Sequence, residues 1–177
     1  LTANYKFTDH LTLRAIAGID YRTIKGDNFT DPRTPDAFNV NGRASFQYNQ
    51  NINFLTNATL NYNKTFADKH GVGALLGVEY RSYVNEGYSG TGEGFPTPDF
   101  IYLSSSTNYT GLGGFWTGFR KNAVFGQLKY DFDNKYYFSA IGRYDGSSRF
   151  GKNNRFGFFP SVSAGWLLSE ESFLKSS

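Results

Sequence analysis

Few side chains in this sequence could carry out covalent or metal chemistry. The 177 residues include no Cys and only two His, His10 and His70, each beside a short run of turn-forming residues. Without Cys there is no thiolate nucleophile, no disulfide framework and no thiolate-ligated metal. Two separated imidazoles do not supply a metal site or a catalytic triad. We therefore expect no catalytic residue, no metal site and no cofactor in these residues.

Charged side chains recur at alternating positions, and acids are mixed with bases. A pair of carboxylates could act as the acid and base of a glycosidase. Because basic residues lie on the same faces of neighbouring segments, we predict ion pairs between strands instead of an enzyme. The residues concerned are Asp20, Glu79, Asp131, Arg14, Arg81, Lys129 and Arg143.

Aromatic residues are concentrated in a glycine-rich stretch, residues 85–121, which we predict to be a long connection. Aromatic rings can stack on sugar faces, so this stretch could contact a saccharide ligand. The alternative is that the rings pack the connection against itself or against a partner. We favour packing, since eight aromatic side chains cannot all touch one ligand. The candidate contact residues are Tyr88, Phe95, Tyr102 and Trp116.

The segments that must position these residues alternate between apolar and polar side chains. From Arg43 to Phe66, the even positions are mostly apolar and the odd positions nearly all polar, without a break in phase. This pattern is typical of a strand with different environments on its two faces. Similar alternation predicts seven strands, over residues 1–8, 11–22, 43–66, 70–81, 124–133, 136–144 and 156–166.

Three short turns allow a test of this alternation. They lie at residues 8–10, 67–69 and 133–135 and contain turn-forming residues. Antiparallel pairing across each turn brings the two apolar faces together, which a slip by one residue would prevent. The predicted pairs are Tyr5–Leu13, Tyr62–Ala74 and Tyr130–Phe138.

Composition and connection lengths favour an antiparallel transmembrane β-barrel. Aromatic residues make up 19% of the chain and 20 residues are Gly, yet mean hydropathy is −0.48. Polar side chains facing a lumen explain that combination. The other connections, about 24–42, 85–121 and 146–155, are long and alternate with the short turns, as external loops alternate with periplasmic turns in outer-membrane barrels. The net charge of +3 is too small to indicate a nucleic-acid partner.

Seven strands do not make a complete bacterial barrel, because single-chain bacterial barrels have an even number of strands. Residues 174–177 also do not continue a strand pattern. We therefore expect all of residues 1–177 to form part of a larger barrel. Two rival architectures stay open at this point. One is a small outer-membrane barrel that acts as an adhesin or structural protein, and the other is a soluble carbohydrate-binding β-sandwich whose apolar face meets a second sheet.

The C-terminal third contains several motif elements in a fixed order. Arg143 is followed by the run Asp145-Gly146-Ser147-Ser148-Arg149-Phe150, and then by Pro160 and Trp166. In this order and spacing, residues 125–175 closely resemble the barrel of the SusC/RagA family of TonB-dependent outer-membrane transporters of Bacteroidetes. The resemblance implies that these motif residues build the barrel and do not form a substrate site.

The same resemblance carries expectations about the whole transporter. It implies a barrel of about 22 strands in the bacterial outer membrane, in contact with membrane lipid. It also implies an N-terminal plug and a TonB box, neither of which lies in residues 1–177. The expected partners are a SusD-like surface lipoprotein, TonB through the missing N-terminal part, and an oligosaccharide or peptide ligand. The expected function is nutrient import, most of all of oligosaccharides.

Overall fold

The fold is one antiparallel sheet of seven strands. The computed structural model describes residues 1–171 and 173, so residues 172 and 174–177 lie outside the described part. The strands lie in sequence order across the sheet, which confirms the predicted all-β, seven-stranded fold. Their bounds are β1 Thr2–Lys6, β2 Leu11–Thr30, β3 Arg43–Phe66, β4 His70–Glu93, β5 Asn108–Phe132, β6 Tyr136–Ser147 and β7 Phe156–Trp166. Short 3-10 turns occupy Phe38–Val40, Leu103–Ser105 and Leu168–Glu170.

Several strands are longer than their sequence pattern predicts. β2 continues to Thr30, β4 continues to Glu93 and β5 already begins at Asn108. The predicted connection over 85–121 is therefore wrong, and the actual connection covers 94–107. The physical reason lies in the side chains, since a strand end that faces water on both sides needs no alternation of apolar and polar residues. Backbone pairing alone maintains such a strand end. Its content of Gly, Ser and Thr is similar to that of a loop, so the sequence predicts a connection there.

The predicted register is confirmed at two of the three short turns. Tyr5 pairs with Leu13 between β1 and β2, and Tyr130 pairs with Phe138 between β5 and β6. The register across the turn at 67–69 stays a prediction. Between β6 and β7 the rows of paired residues continue, so that the apolar face predicted for each strand extends across three neighbouring strands.

The chain forms two compact units. The first contains Leu1–Ile19, Phe54–Ser82 and Phe119–Ser177, and it includes all three short turns. The second contains Asp20–Asn53 and Tyr83–Gly118, and it includes the connections 31–42 and 94–107. Within the part of the chain that the structure describes, no helix is long and apolar enough to span a membrane.

In the first unit the two faces of the sheet differ in polarity. One face carries the row Leu128–Ala140–Val162, and the side chain of Val162 is largely exposed, with a residue exposure of 74%. The opposite face carries the row Lys129–Ser139–Ser163. Only four apolar residues are buried among those described, Ala37, Ala44, Phe95 and Ala123. Apolar side chains in this sheet therefore line a surface and do not fill a core.

A row of rings lies beside the short turns on the apolar face. His70 lies 5.0 Å from Phe132, measured between ring centroids, and Phe132 stacks on Tyr136 at 6.3 Å. Tyr136 stacks on Trp166 at 6.1 Å. The Tyr136 hydroxyl and the Trp166 indole N–H both donate to Oε1 of Glu171, at 2.6 and 3.1 Å. Amphipathic rings in such a row are typical of the boundary between membrane and water.

Two of the short turns use left-handed backbone conformations. Ala67 and Asp68 have φ values of 48° and 55°, and Asp133 and Asn134 both have 54°. Two successive residues of this kind match the right-handed twist of the flanking strands. Asn and Asp tolerate the conformation well, but the Cβ of Ala67 disfavours it by about 1–2 kcal/mol.

We predict that Ala67→Gly stabilises the protein. Glycine has no Cβ to strain the turn, so the free energy of unfolding should rise, by up to about 1 kcal/mol after the entropy gained by the unfolded chain is subtracted. Urea unfolding of the full-length protein in detergent, followed by tryptophan fluorescence, measures the change. Ala140→Gly in β6 is the control and should be destabilising, because its backbone is an ordinary strand. An Ala67→Gly variant that is no more stable than wild type contradicts the prediction.

Candidate functional site

Arg143 is the centre of a charged cluster on the polar face of the first unit. Its Nε donates to both carboxylate oxygens of Asp145, each at 2.9 Å. Its Nη2 donates to Oε1 of Glu79 at 3.3 Å, and its Cζ lies 5.2 Å from the centroid of the Phe125 ring. The Arg143–Glu79 contact joins β6 to β4, so the predicted ion pairing between strands is confirmed for this pair.

Register and a glycine place the Arg143 side chain. Arg143 pairs with Phe125 on β5 and with Phe159 on β7, so the three side chains lie on the same face of the sheet. Gly77 of β4 leaves room for the Phe125 ring, because a Cβ at Gly77 would lie 2.3 Å from Cζ of Phe125. The ring can occupy the cation–π position only because that residue has no side chain.

The run that follows Arg143 builds the connection between β6 and β7. Ser148 extends the pairing with β5, since its N–H donates to the Arg120 carbonyl at 2.9 Å and its Oγ accepts from the Arg120 N–H at 2.8 Å. The Ser147 Oγ accepts from the Arg149 N–H at 3.3 Å. Gly146 is buried, and an added Cβ would lie 2.5 Å from the Phe156 ring.

The remaining motif residues also have structural surroundings. Pro160 pairs with Gly142 on β6, Trp166 closes the row of rings, and Phe150 lies exposed in the connection 148–155. These contacts support the barrel-building role that the sequence predicts for the motif. The fold also brings Asp145, Gly146, Ser147 and Phe150 to the wall of one open cleft of about 510 Å³.

The four aromatic candidates are not brought together in one site. Tyr88 lies on β4 and Trp116 on β5, both exposed, whereas the sequence places them in a connection. Tyr102 lies in the connection 94–107 and is 75% exposed. Phe95 is 1% exposed. Tyr88, Tyr102 and Trp116 are thus accessible to a ligand, and the ring of Phe95 is not.

Phe95 ties the two connections of the second unit together. Its N–H donates to the Asn41 carbonyl at 2.9 Å, and its carbonyl accepts from Asn41 Nδ2 at 2.8 Å. Its ring meets Phe29 edge-to-face at 5.4 Å. Gly42 has a φ of 88°, and a Cβ added there would lie 3.4 Å from the Phe95 ring and 3.5 Å from the Phe29 ring. The Phe95 ring is therefore used for internal packing and is not available for ligand contact.

Tyr102 lines an open cleft of about 460 Å³ in the second unit. Exposed rings and small polar side chains meet there, a combination that suits a ligand with both apolar faces and hydroxyl groups. The residues lining it are Asp27, Asn28, Phe29, Phe46, Ile101, Tyr102, Leu103 and Ser104. Of these, sequence reasoning identified only Tyr102. The others were missed because strand residues of β2 and β3 meet the distant connection 94–107 only after the sheet has formed.

A local ion pair organises the beginning of the connection 31–42. Nε and Nη2 of Arg33 donate to the two carboxylate oxygens of Asp31 at 2.9 and 2.6 Å, and the Arg33 N–H donates to Oδ1 at 2.8 Å. Thr34 Oγ1 donates to the Asp31 carbonyl at 2.7 Å. The Arg33 side chain holds the pKa of Asp31 down at about 2, below its ordinary value of 3.8. Among the described residues, no group of three or more His, Cys, Asp and Glu side chains could hold a metal ion.

A sheet with one exposed apolar face, one charged face, a row of rings beside its short turns and long connections between its other strands has the features of an outer-membrane barrel wall. The family model described as "TonB dependent receptor-like, beta-barrel" matches residues 1–177. The chain belongs to this family of outer-membrane proteins. The match also confirms the predicted transmembrane barrel and the predicted location in the outer membrane.

Individual relatives agree with the family. Two TonB-dependent receptors of Formosa agariphila are 35% and 32% identical over 97% and 99% of this chain. The TonB-dependent receptor SusC of Bacteroides thetaiotaomicron is 53% identical over 53 residues, 30% of this chain and 5% of SusC. A structure of the RagAB peptide transporter has the same fold, with a TM-score of 0.89 and 24% identity over 99% of this chain and 20% of that chain. These matches confirm the predicted SusC/RagA resemblance. The chain spans less than a fifth of the length of the two Formosa receptors.

We predict that Gly77→Ala destabilises the barrel. The new methyl group collides with the Phe125 ring, so the ring and the Arg143 contact must both shift, at a cost of about 1–3 kcal/mol. The measurement is the temperature at which the full-length protein loses its SDS-resistant folded form. Gly18→Ala on β2 is the matched control, because nothing lies within 4 Å of its added Cβ. Equal melting temperatures for the two variants contradict the prediction.

We predict that acid opens the contact between Asp31 and Arg33. The pKa of Asp31 is lowered by folding, so the stabilisation is complete above its ordinary value of 3.8 and is lost as the pH falls through about 2. The protection factor of the Arg33 amide, measured by hydrogen exchange on the full-length protein, should fall between about pH 4 and pH 2. In Asp31→Asn this pH dependence should vanish. A wild-type protection factor that stays constant down to pH 2 contradicts the prediction.

Proposed function

We propose that this chain is part of the wall of an outer-membrane importer that takes up oligosaccharides with energy supplied through TonB. The observation that carries the proposal is the family match over residues 1–177 together with the two-faced sheet. The apolar face would contact lipid, and the polar face would line the path of the nutrient. No covalent chemistry is involved, since binding and conformational change alone move the ligand.

The aromatic cleft of the second unit supports an oligosaccharide ligand. Tyr102 and Phe46 present exposed rings, and Asp27, Asn28 and Ser104 offer hydrogen-bonding groups beside them. An oligosaccharide has both apolar ring faces and hydroxyl groups that donate and accept, so it can use both kinds of surface. Tyr88 and Trp116 are two further exposed rings on the strands of the same unit.

A peptide is the second candidate ligand. It is favoured by the similarity to the RagAB peptide transporter, although 24% identity supports a common fold and not a common ligand. A small adhesin barrel and a soluble β-sandwich have less support, because neither agrees with a receptor-barrel match along the whole chain.

The proposed partners follow from the family. We infer that a SusD-like surface lipoprotein covers the external face and that TonB acts through parts of the protein outside these residues. RagAB supports the first inference only as a structural relative of this sheet. A nucleic-acid partner is not part of the proposal.

The import proposal can be tested in a strain that lacks the full-length gene and carries it again on a plasmid. The probes are fluorescently labelled maltohexaose, xylohexaose and oligogalacturonate, with a labelled pool of tryptic peptides for comparison. We expect uptake of at least one of these saccharides to depend on the gene and on TonB. Gene-dependent uptake of peptides without uptake of any saccharide would replace the oligosaccharide by the peptide, and uptake of neither would contradict import of both classes.

The same strain tests the aromatic cleft. Tyr102→Ala should lower saccharide uptake about three- to tenfold, as expected for the loss of one stacking ring. Tyr109→Ala is the matched control, because Tyr109 is also an exposed tyrosine of the second unit but does not line the cleft. Equal uptake by the two variants would remove Tyr102 from the ligand path without affecting the import proposal.

A further inference from the structure

A group of basic side chains surrounds one aromatic ring in the first unit. The Cζ of Arg149 lies 4.1 Å from the centroid of Phe119, the Nζ of Lys121 lies 5.5 Å from it and the Cζ of Arg81 lies 6.0 Å from it. The three cations come from the connection 148–155, β5 and β4. We call Arg81, Lys121 and Arg149 the basic cluster.

The cleft next to this cluster has more cations than carboxylates. Arg81, Lys121, Arg143 and Arg155 line the cleft of about 510 Å³, together with the two carboxylates Glu79 and Asp145. Both carboxylates are hydrogen-bonded to Arg143, so Arg143 is the cation that they neutralise most directly. The excess positive charge of the lining is therefore carried by the other cations, which include Lys121 and Arg155. Like charges gathered in a partly enclosed space attract an anion.

The positions of the cations favour a ligand inside the barrel over a lipid headgroup. Lys121 lies four residues before Phe125 on β5, and Phe125 pairs with Arg143 on β6. Because every second residue of a strand points to the same face, Lys121 shares the face of Arg143. The apolar row of Leu128, Ala140 and Val162 lies on the opposite face. Lys121, Arg149 and Arg155 are all exposed to solvent, so an incoming solute can reach them.

Other groups in the cleft fit the rest of a sugar. Asn122, Asn154 and Ser147 provide amide and hydroxyl groups, which can donate to and accept from sugar hydroxyls. Phe150 and Phe159 add rings to the same walls, both largely exposed. A site for a bare inorganic anion would not need these groups, so the lining favours an anion carried by a larger and partly apolar molecule.

We propose that this cleft binds an acidic oligosaccharide, with a carboxylate or sulfate group held by Lys121 and Arg155, two cations that line it. Arg guanidinium groups contact such oxyanions through two parallel N–H donors, and the Lys ammonium adds a point charge. This inference rests on the proposed function and narrows its substrate class to anionic saccharides. The aromatic cleft of the second unit is a separate site and would not distinguish charged from neutral sugars.

The first test uses the full-length wild-type protein in detergent and titration calorimetry. The probes are a heparin-derived hexasaccharide, which carries sulfate, hexagalacturonate, which carries only carboxylates, and neutral maltohexaose. We expect at least one acidic probe to bind more than tenfold tighter than maltohexaose, and its affinity to fall as salt rises from about 50 to 500 mM. The stronger acidic probe shows whether sulfate or carboxylate is preferred. Equal affinity for acidic and neutral probes overturns the proposal.

The second test locates the anion site. The double variant with Lys121→Gln and Arg155→Gln should lose about tenfold or more in affinity for the acidic probe, with affinity for maltohexaose unchanged. The matched control is the double variant with Lys129→Gln and Arg14→Gln, which removes the same charge from strand positions that do not line the cleft. Equal losses in the two double variants show a general charge effect and overturn the assignment of the site.

Two further outcomes separate this inference from the import proposal. Tight binding of hexaglutamate without binding of either acidic hexasaccharide overturns the saccharide assignment and keeps an anion site for peptides. Uptake of neutral hexasaccharides in the plasmid strain, with no preference for acidic ones, overturns the anion site and leaves oligosaccharide import standing. The wild-type titration decides the matter even where a double variant does not fold.

Discussion

The rest of the structure depends on the pairing of backbone N–H and C=O groups between neighbouring strands. A membrane offers no water to replace a missing hydrogen bond, so a strand that crosses it must be paired along its length. Once this pairing is fixed, successive side chains point to opposite faces, and each face can match a different solvent. The row Leu128–Ala140–Val162 and the neighbouring row Lys129–Ser139–Ser163 show both results within the same three strands.

The charged face has its own requirement, because charges that lie close together on one face of a sheet must be balanced. Arg143 meets that requirement with two carboxylates and the Phe125 ring, and Gly77 leaves the space that the ring occupies. Such a network is sensitive to shape, since one methyl group at Gly77 would move both ring and guanidinium. A motif arginine surrounded in this way is explained by its contacts in the wall, with no need for a direct contact to ligand.

Sequence reasoning succeeded wherever one face of a strand is apolar. The alternation from Arg43 to Phe66 predicted β3 with its observed bounds, and the turn at 133–135 predicted the pairing of Tyr130 with Phe138. It failed from 24 to 30, from 85 to 93 and from 108 to 121, where backbone pairing continues but no side-chain period marks it. It also identified single rings and not the aromatic cleft, because Phe46 and Tyr102 come together only through pairing of distant segments.

The regions where the pattern fails include two exposed aromatic residues, Tyr88 and Trp116, and there is a physical reason for this. A side chain that must face lipid is restricted to apolar types, whereas one that faces water on either side of a strand is free to vary. β4 is 24 residues long and would rise on the order of 60 Å at a tilt near 40°, compared with an apolar band of about 25 Å. Much of such a strand is therefore released from the lipid constraint. Tyr88 on β4 and Trp116 on β5, counted from the short turns, lie beyond the length that the apolar band requires. Side chains can change there without any change in the paired backbone beneath them.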